Sequence, residues 1–218
     1  MKNLILFLIP GFIFGYQVDY KAYYYDLKDF QKPKIYEYKR STKDSLDTEY
    51  WKITSDTINK ELITETFNSS FKQTEYFKEK FDASGSKMLE FVLFEDSTDT
   101  RVSRPIEKNV YLWNNPGPYK YSTKYDSSYG EIYFEKTRTY QGIEKIKILN
   151  KTYNAIKLKG EYLFKITDQN ETYTYDQYSY YIKDLGFVKY KRVFEDRSET
   201  ELYLSHIYTE EEWNSLKN

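Results

Sequence analysis

Thr152–Thr167 reads TYNAIKLKGEYLFKIT. Ile156, Leu158, Gly160, Tyr162, Phe164 and Ile166 fall at every second position. Lys157, Lys159, Glu161 and Lys165 fill the positions between, and only Leu163 breaks the alternation. Side chains of a strand point alternately to its two faces, so this stretch reads as a half-buried strand with one wet side. At about 3.3 Å per residue it would run roughly 50 Å. Twist accumulates between strands of that length, so the sheet coils on itself instead of lying flat. Its apolar side then needs a cover, from a second sheet, from helices or from a ligand.

The same period of two recurs along the chain. Val188, Tyr190 and Phe194 share a side opposite Lys189 and Lys191, and Leu202, Leu204, His206 and Tyr208 share one in the last strand. Leu89, Phe91 and Leu93 align earlier, as do Ile132 with Phe134 and Ile146 with Ile148. Polar turn clusters at 41–45, 55–60, 83–86, 96–100, 167–170, 183–186 and 196–198 separate the runs. The sharpest break is Asn114-Asn115-Pro116-Gly117-Pro118, read as a surface loop because strand character resumes at Tyr119. The patterning predicts strands over 34–40, 48–55, 61–71, 73–81, 87–95, 107–113, 119–125, 130–141, 143–149, 152–167, 171–183, 186–195 and 199–208. Short turns between sequential strands imply antiparallel pairing. Helices are scarce. Thr209 and Glu212 have capping-box spacing, and Tyr208 and Trp213 occupy the positions of a hydrophobic staple, so a short helix opens at Thr209. A second is expected within Asp19–Phe30, where Tyr20, Tyr24 and Leu27 follow helical spacing.

The expected fold is therefore mainly β: a strongly twisted antiparallel sheet forming a half-barrel or open barrel, with a short C-terminal helix. Composition sets the function classes. The 218 residues include 33 Lys+Arg, 34 Asp+Glu, one His, no Cys and 26 Tyr. A net charge of −1 removes the sequence-independent attraction that drives nucleic-acid binding, although Lys189–Arg192 and Tyr119–Tyr121 interleave bases with rings. Without cysteine there is no disulfide frame, thiol nucleophile or thiolate zinc site. Lys accounts for 27 of the basic residues and Arg for 6. That bias suits an AT-rich genome, which explains much of the tyrosine too.

Lys2 precedes an apolar run from Leu4 to Phe14, and Gly15 is followed by polar sequence. A basic start, a short apolar stretch and a small residue at the cut describe a secretory signal peptide over 1–15, too short to span a bilayer. The expectation is an exported protein, periplasmic or extracellular, whose mature part, 16–218, is one β domain with no membrane span once the leader is removed.

Two motifs carry a resemblance. The stretch Lys145–Lys159 contains IKILNKTYNAIK. It is followed by Tyr180-Tyr181-Ile182-Lys183-Asp184-Leu185-Gly186-Phe187-Val188-Lys189-Tyr190, in which a strand passes through a Gly turn into the next. Together with KIYEYKR at Lys34–Arg40, these resemble secreted bacterial half-barrel proteins, similar in turn to the periplasmic carriers of lipoproteins. The resemblance implies an incomplete barrel that holds acyl chains.

Catalytic signatures are sparse. There is neither a Gly-x-Ser-x-Gly elbow nor a phosphate-cradling loop. His206, the single histidine, reads as a hydrogen-bonded core or rim residue of the last strand. Glu135, Glu161 and Asp176 read as a salt-bridged outer face. Asp96-x-x-Asp99 lacks the glycine and alternating ligands of a calcium loop. Asn68, Asn150 and Asn170 open glycosylation sequons that matter only in a eukaryotic secretory pathway. The expected function is non-catalytic, without metal or cofactor: binding of a hydrophobic or amphipathic, lipid-like ligand in the concave face. Trp51, Phe91, Phe134, Ile156, Leu158, Tyr162, Phe164, Tyr180, Tyr190 and Leu204 are the candidate lining. Three rivals are a protein- or glycan-binding module with an envelope partner and exposed aromatics, a carboxylate-dependent hydrolase, and an outer-membrane barrel. The last conflicts with charge on both faces of Thr48–Asp56 and Arg101–Val110.

Overall fold

The computed structural model describes residues 18–95, 100–114 and 117–217. The leader, Asp96–Asp99 and part of the 114–118 loop therefore lie outside the described residues. Strands run over Lys34–Ser41 (β1), Leu46–Asp56 (β2), Glu61–Asn68 (β3), Gln73–Phe81 (β4), Gly85–Phe94 (β5), Thr100–Val102 (β6), Arg104–Leu112 (β7), Tyr119–Ser127 (β8), Gly130–Ile148 (β9), Lys151–Ile166 (β10), Glu171–Ile182 (β11), Gly186–Phe194 (β12) and Glu199–Thr209 (β13). A helix, α1, follows at Glu210–Leu216. The two runs expected at 130–141 and 143–149 are one strand, β9. It carries an extra residue, Gln141, opposite the step from Lys157 to Leu158, and continues through Gly142 at φ +123°. A bulge of this kind bends a strand without ending it. The short β6, unforeseen, pairs with the end of β5.

Every ladder is antiparallel, and twelve of these strands form a closed ring: each pairs with its neighbour in sequence, β5 pairs with β7 across the short β6, and β1 pairs with β13. The expected half-barrel or open barrel is thus closed. The reason lies in β1, whose eight residues from Lys34 to Ser41 each pair with β13 on one side and with β2 on the other. Full closure removes both unpaired sheet edges.

An eight-stranded barrel is just filled by its own side chains, whereas a twelve-stranded one leaves room inside. Here one end is plugged. Tyr20–Tyr23 and Leu27–Phe30 form 3₁₀ turns, tighter than the helix expected there, capped by the Asp19 and Asp26 carboxylates. Tyr20, Tyr23, Tyr24, Tyr25 and Phe30 join Tyr36, Tyr38, Tyr111, Ile156, Leu158, Ile182, Leu202 and Leu204 in the main core. The Tyr24 ring lies 4.5 Å from Tyr111 and 5.9 Å from Tyr181, and the Tyr111 hydroxyl donates to the Tyr20 carbonyl. These are tyrosines inside, each with a hydrogen bond to find, which accounts for part of the tyrosine content structurally.

The outer face is charged and paired. Lys159 bridges Glu161 and Asp176, Lys120 meets Glu135, and Lys189 and Lys191 meet Glu201 and Glu199. The capping box of α1 is present, with Thr209 accepting from the Glu212 N–H and Glu212 from the Thr209 N–H. Trp213 packs outside the barrel with Ile35, Tyr50, Phe67, Phe71 and Tyr208. His206 is not a core residue. Ser205 is extra in the β1–β13 ladder, so His206 falls opposite outward-facing Glu37 and is exposed against the Tyr208 ring at 4.2 Å. No helix among the described residues is long and apolar enough to cross a membrane.

Candidate functional site

Beyond the plug, the barrel keeps a cavity of about 430 Å³, lined by β1–β5, β7–β12 and the tip of the plug. Such volumes suit a small organic ligand. Trp51, Phe91, Phe134, Tyr162, Phe164 and Tyr190, among the residues singled out from sequence, stand on its wall. Ile156, Leu158 and Leu204 do not. They sit on inward positions further along their strands, where the plug has filled the interior. Tyr180 is elsewhere again, paired with Lys157 on the outward side of β11, with the Lys157 ammonium 5.8 Å from its ring. Both faces of Tyr178-Ser179-Tyr180-Tyr181 carry tyrosine, so the alternation there is silent about direction.

One flank of the cavity is aromatic. Phe134 packs 4.8 Å from Phe164 and 5.8 Å from Tyr162, and Tyr162 stacks on Tyr175 at 4.5 Å. On another flank Trp51 stacks on Phe187, with centroids 5.2 Å apart and planes at 11°. Set among these rings are charges that the sequence reading did not anticipate: Arg40, Glu49, Glu75, Glu79, Lys136, Arg138 and Arg192. The wall is therefore not simply apolar. The signal was in the parity. Lys136 and Arg138 continue the side of β9 that Ile132 and Phe134 begin, Arg192 lies between Tyr190 and Phe194, and Arg40 follows Tyr38 by two.

Most of these charges are held. Arg40 pairs with Glu49, whose other oxygen accepts from the Trp51 indole N–H at 2.9 Å. Arg138 donates to the Val110 carbonyl at 2.6 Å, and Arg192 donates through Nε to Gln177 at 2.8 Å while lying over the Tyr190 ring at 4.3 Å. Glu79, only 2% exposed, accepts from the Tyr24 hydroxyl at 2.7 Å and from Ser86. Burial lifts its pKa to about 7 against those hydrogen bonds and the nearby Arg138. Glu75 is also lifted to about 7, by burial and then by the Glu49 charge.

Lys136, like Glu75, is an exception. It is 4% exposed, its ammonium lies 4.4 Å from the centre of Tyr162 and 5.9 Å from Tyr121, and it has no carboxylate partner among the described residues. Burial, then repulsion from Arg138 and Arg192, pushes its pKa well down. Glu135, Glu161 and Asp176 lie outside the cavity, in the outer ion pairs already described.

No family model matches the chain, and no curated protein matches it. Solved structures do. A candidate lipoprotein from Parabacteroides distasonis superposes with a TM-score of 0.58 at 14% identity, over 85% of this chain and 98% of that one. A candidate exported protein with a YmcC-like fold, from Bacteroides fragilis, gives 0.56 at 10% identity, over 83% and 97%. The resemblance to lipoprotein carriers rests on the short motifs alone. At these identities the likeness is one of fold, and this chain shares the barrel of those two bacterial proteins.

Proposed function

We propose that the protein is an exported, non-catalytic carrier or receptor that binds a small amphipathic molecule inside the barrel. One observation carries this: a cavity of about 430 Å³ left behind a plugged end, walled by stacked rings and a few tethered polar groups on stiff strands. Apolar walls favour a ligand body by the area they take from water, and the polar groups fix its orientation. Export is supported by the leader-like first fifteen residues and by the nature of the two structural relatives.

The interaction-module reading has less behind it, because Trp113 and Trp213 are buried and Trp51 faces the interior. A membrane barrel needs an uncharged outer band, and the outer faces of β8–β13 carry ion pairs instead. Titrating the purified protein with octyl-chain amphiphiles while following tryptophan emission tests the proposal. Emission should change saturably and the change should be lost in Trp51→Phe. A flat response to amphiphiles of every charge would refute it.

A further inference from the structure

The charges on the cavity wall do not balance, and their arrangement says which head group the cavity accepts. Lys136 projects inward from β9 between Phe134 and Arg138, over the face of Tyr162. Its ring contacts are favourable but cannot replace a counter-charge, and an ammonium taken out of water without one is costly. Arg138 and Arg192 add to the positive potential at the same place, and each repels Lys136. Of the three carboxylates on the wall, Glu49 is engaged by Arg40 and Glu79 by Tyr24 and Ser86, and neither pairs with Lys136. Glu75 is left; it faces Glu49, Arg192 and Arg40, not Lys136, and burial and the Glu49 charge drive it towards the neutral form.

Resting on the proposed function, we infer that the bound amphiphile is an anion: its oxyanion head, a carboxylate or a phosphate, is held by Lys136 and Arg192. Its body lies against the packed rings of Phe134, Tyr162, Phe164 and Tyr175. Arg192 suits the role because Gln177 and the Tyr190 face engage Nε and one side of the plane, which orients the guanidinium. A bound oxyanion would hold the Lys136 amine in its protonated form and make it one half of a charge-assisted pair in a water-poor site. Phe134 and Tyr162 would then receive the tail on the strands that place the head.

The test compares octyl sulfate, octyl glucoside and octyltrimethylammonium by calorimetry on the wild type, Lys136→Met and Lys136→Arg. Octyl sulfate should bind at least about tenfold more tightly than the other two, Lys136→Met should abolish that preference, and Lys136→Arg should retain most of it. Lys136→Met should melt no lower than the wild type, since it removes a buried ammonium, so a loss of binding cannot be read as a loss of fold. Equal affinity for the three heads, tightest binding of the ammonium, or an unchanged preference in Lys136→Met would overturn the anion site and leave the cavity as a neutral one. Absence of any binding would overturn the cavity reading as well. Octanoate and octyl phosphate, run side by side, separate a fatty-acid-like source of the head from a phospholipid-like one.

Discussion

Replacing Glu79 by glutamine should stabilise this protein, and only at the alkaline end. The Glu79 carboxyl is buried between the plug and β5, with Tyr24 and Ser86 donating to it. Burial raises its pKa from 4.5 to about 7. A raised folded-state value means that the native protein holds this proton after the unfolded chain has released it. Stability therefore falls as pH rises from about 4.5 to 7, and the whole cost is present above that window. A shift of that size corresponds to about 3 kcal/mol. The amide introduced by Glu79→Gln mimics the protonated form at every pH, and its oxygen still accepts from Tyr24. In urea, with a slope of about 2 kcal/mol/M, the variant's midpoint should lie roughly 1–2 M above that of the wild type near pH 8 and coincide with it near pH 4.5. Glu75 titrates in both proteins, so it cancels in the comparison. A variant less stable near pH 8, or a gap that does not shrink as pH falls, would refute the claim that Glu79 is a desolvated acid.

Gly186 has φ +73°, and a Cβ there would lie 2.3 Å from two carbons of the Tyr25 ring, so Gly186→Ala should push the plug outward. Left-handed strain plus overpacking comes to about 2–4 kcal/mol, read as a lowered denaturation midpoint. Thr209→Ala removes one half of the α1 capping box and should cost about 1 kcal/mol, with a change in near-ultraviolet dichroism as Trp213 loosens from Ile35 and Tyr50. Glu75→Gln should tighten octyl sulfate severalfold near pH 8, where that carboxyl is ionised. Near pH 5.5 it should change little, because the carboxyl is already protonated there. Calorimetry at the two pH values decides this.

Much of the architecture was legible in local pattern. Alternation found nearly every strand, turn clusters placed the hairpins, and the Thr209–Glu212 spacing located α1 to within a residue. What the pattern missed involves residues inserted into ladders. Gln141 merges two expected strands into β9, and Ser205 turns His206 outward. Leu89, expected to align with Phe91 and Leu93, is the extra residue opposite the step from Lys78 to Glu79 and is exposed. A single inserted residue shifts every later side chain by one face, and no window of alternation reports it until the partner strand is known.

The candidate site divides the same way. Its rings were visible because apolar residues at period two announce a covered face. Its charges went unread because Lys136, Arg138 and Arg192 look, one at a time, like the solvated lysines and arginines that fill the other face of every strand. The antiparallel meander, its hairpins, its terminal helix and the aromatic character of one side could all be read from local pattern, because each depends on contacts between residues near one another in the chain. No local pattern announces that β1 meets β13, that Tyr20–Phe30 fills one end, or that a hollow with an unpaired lysine remains at the other. Those outcomes depend on how wide twelve strands close and on which inward side chains then meet across the gap, distances set by the whole ring and by no single stretch of it.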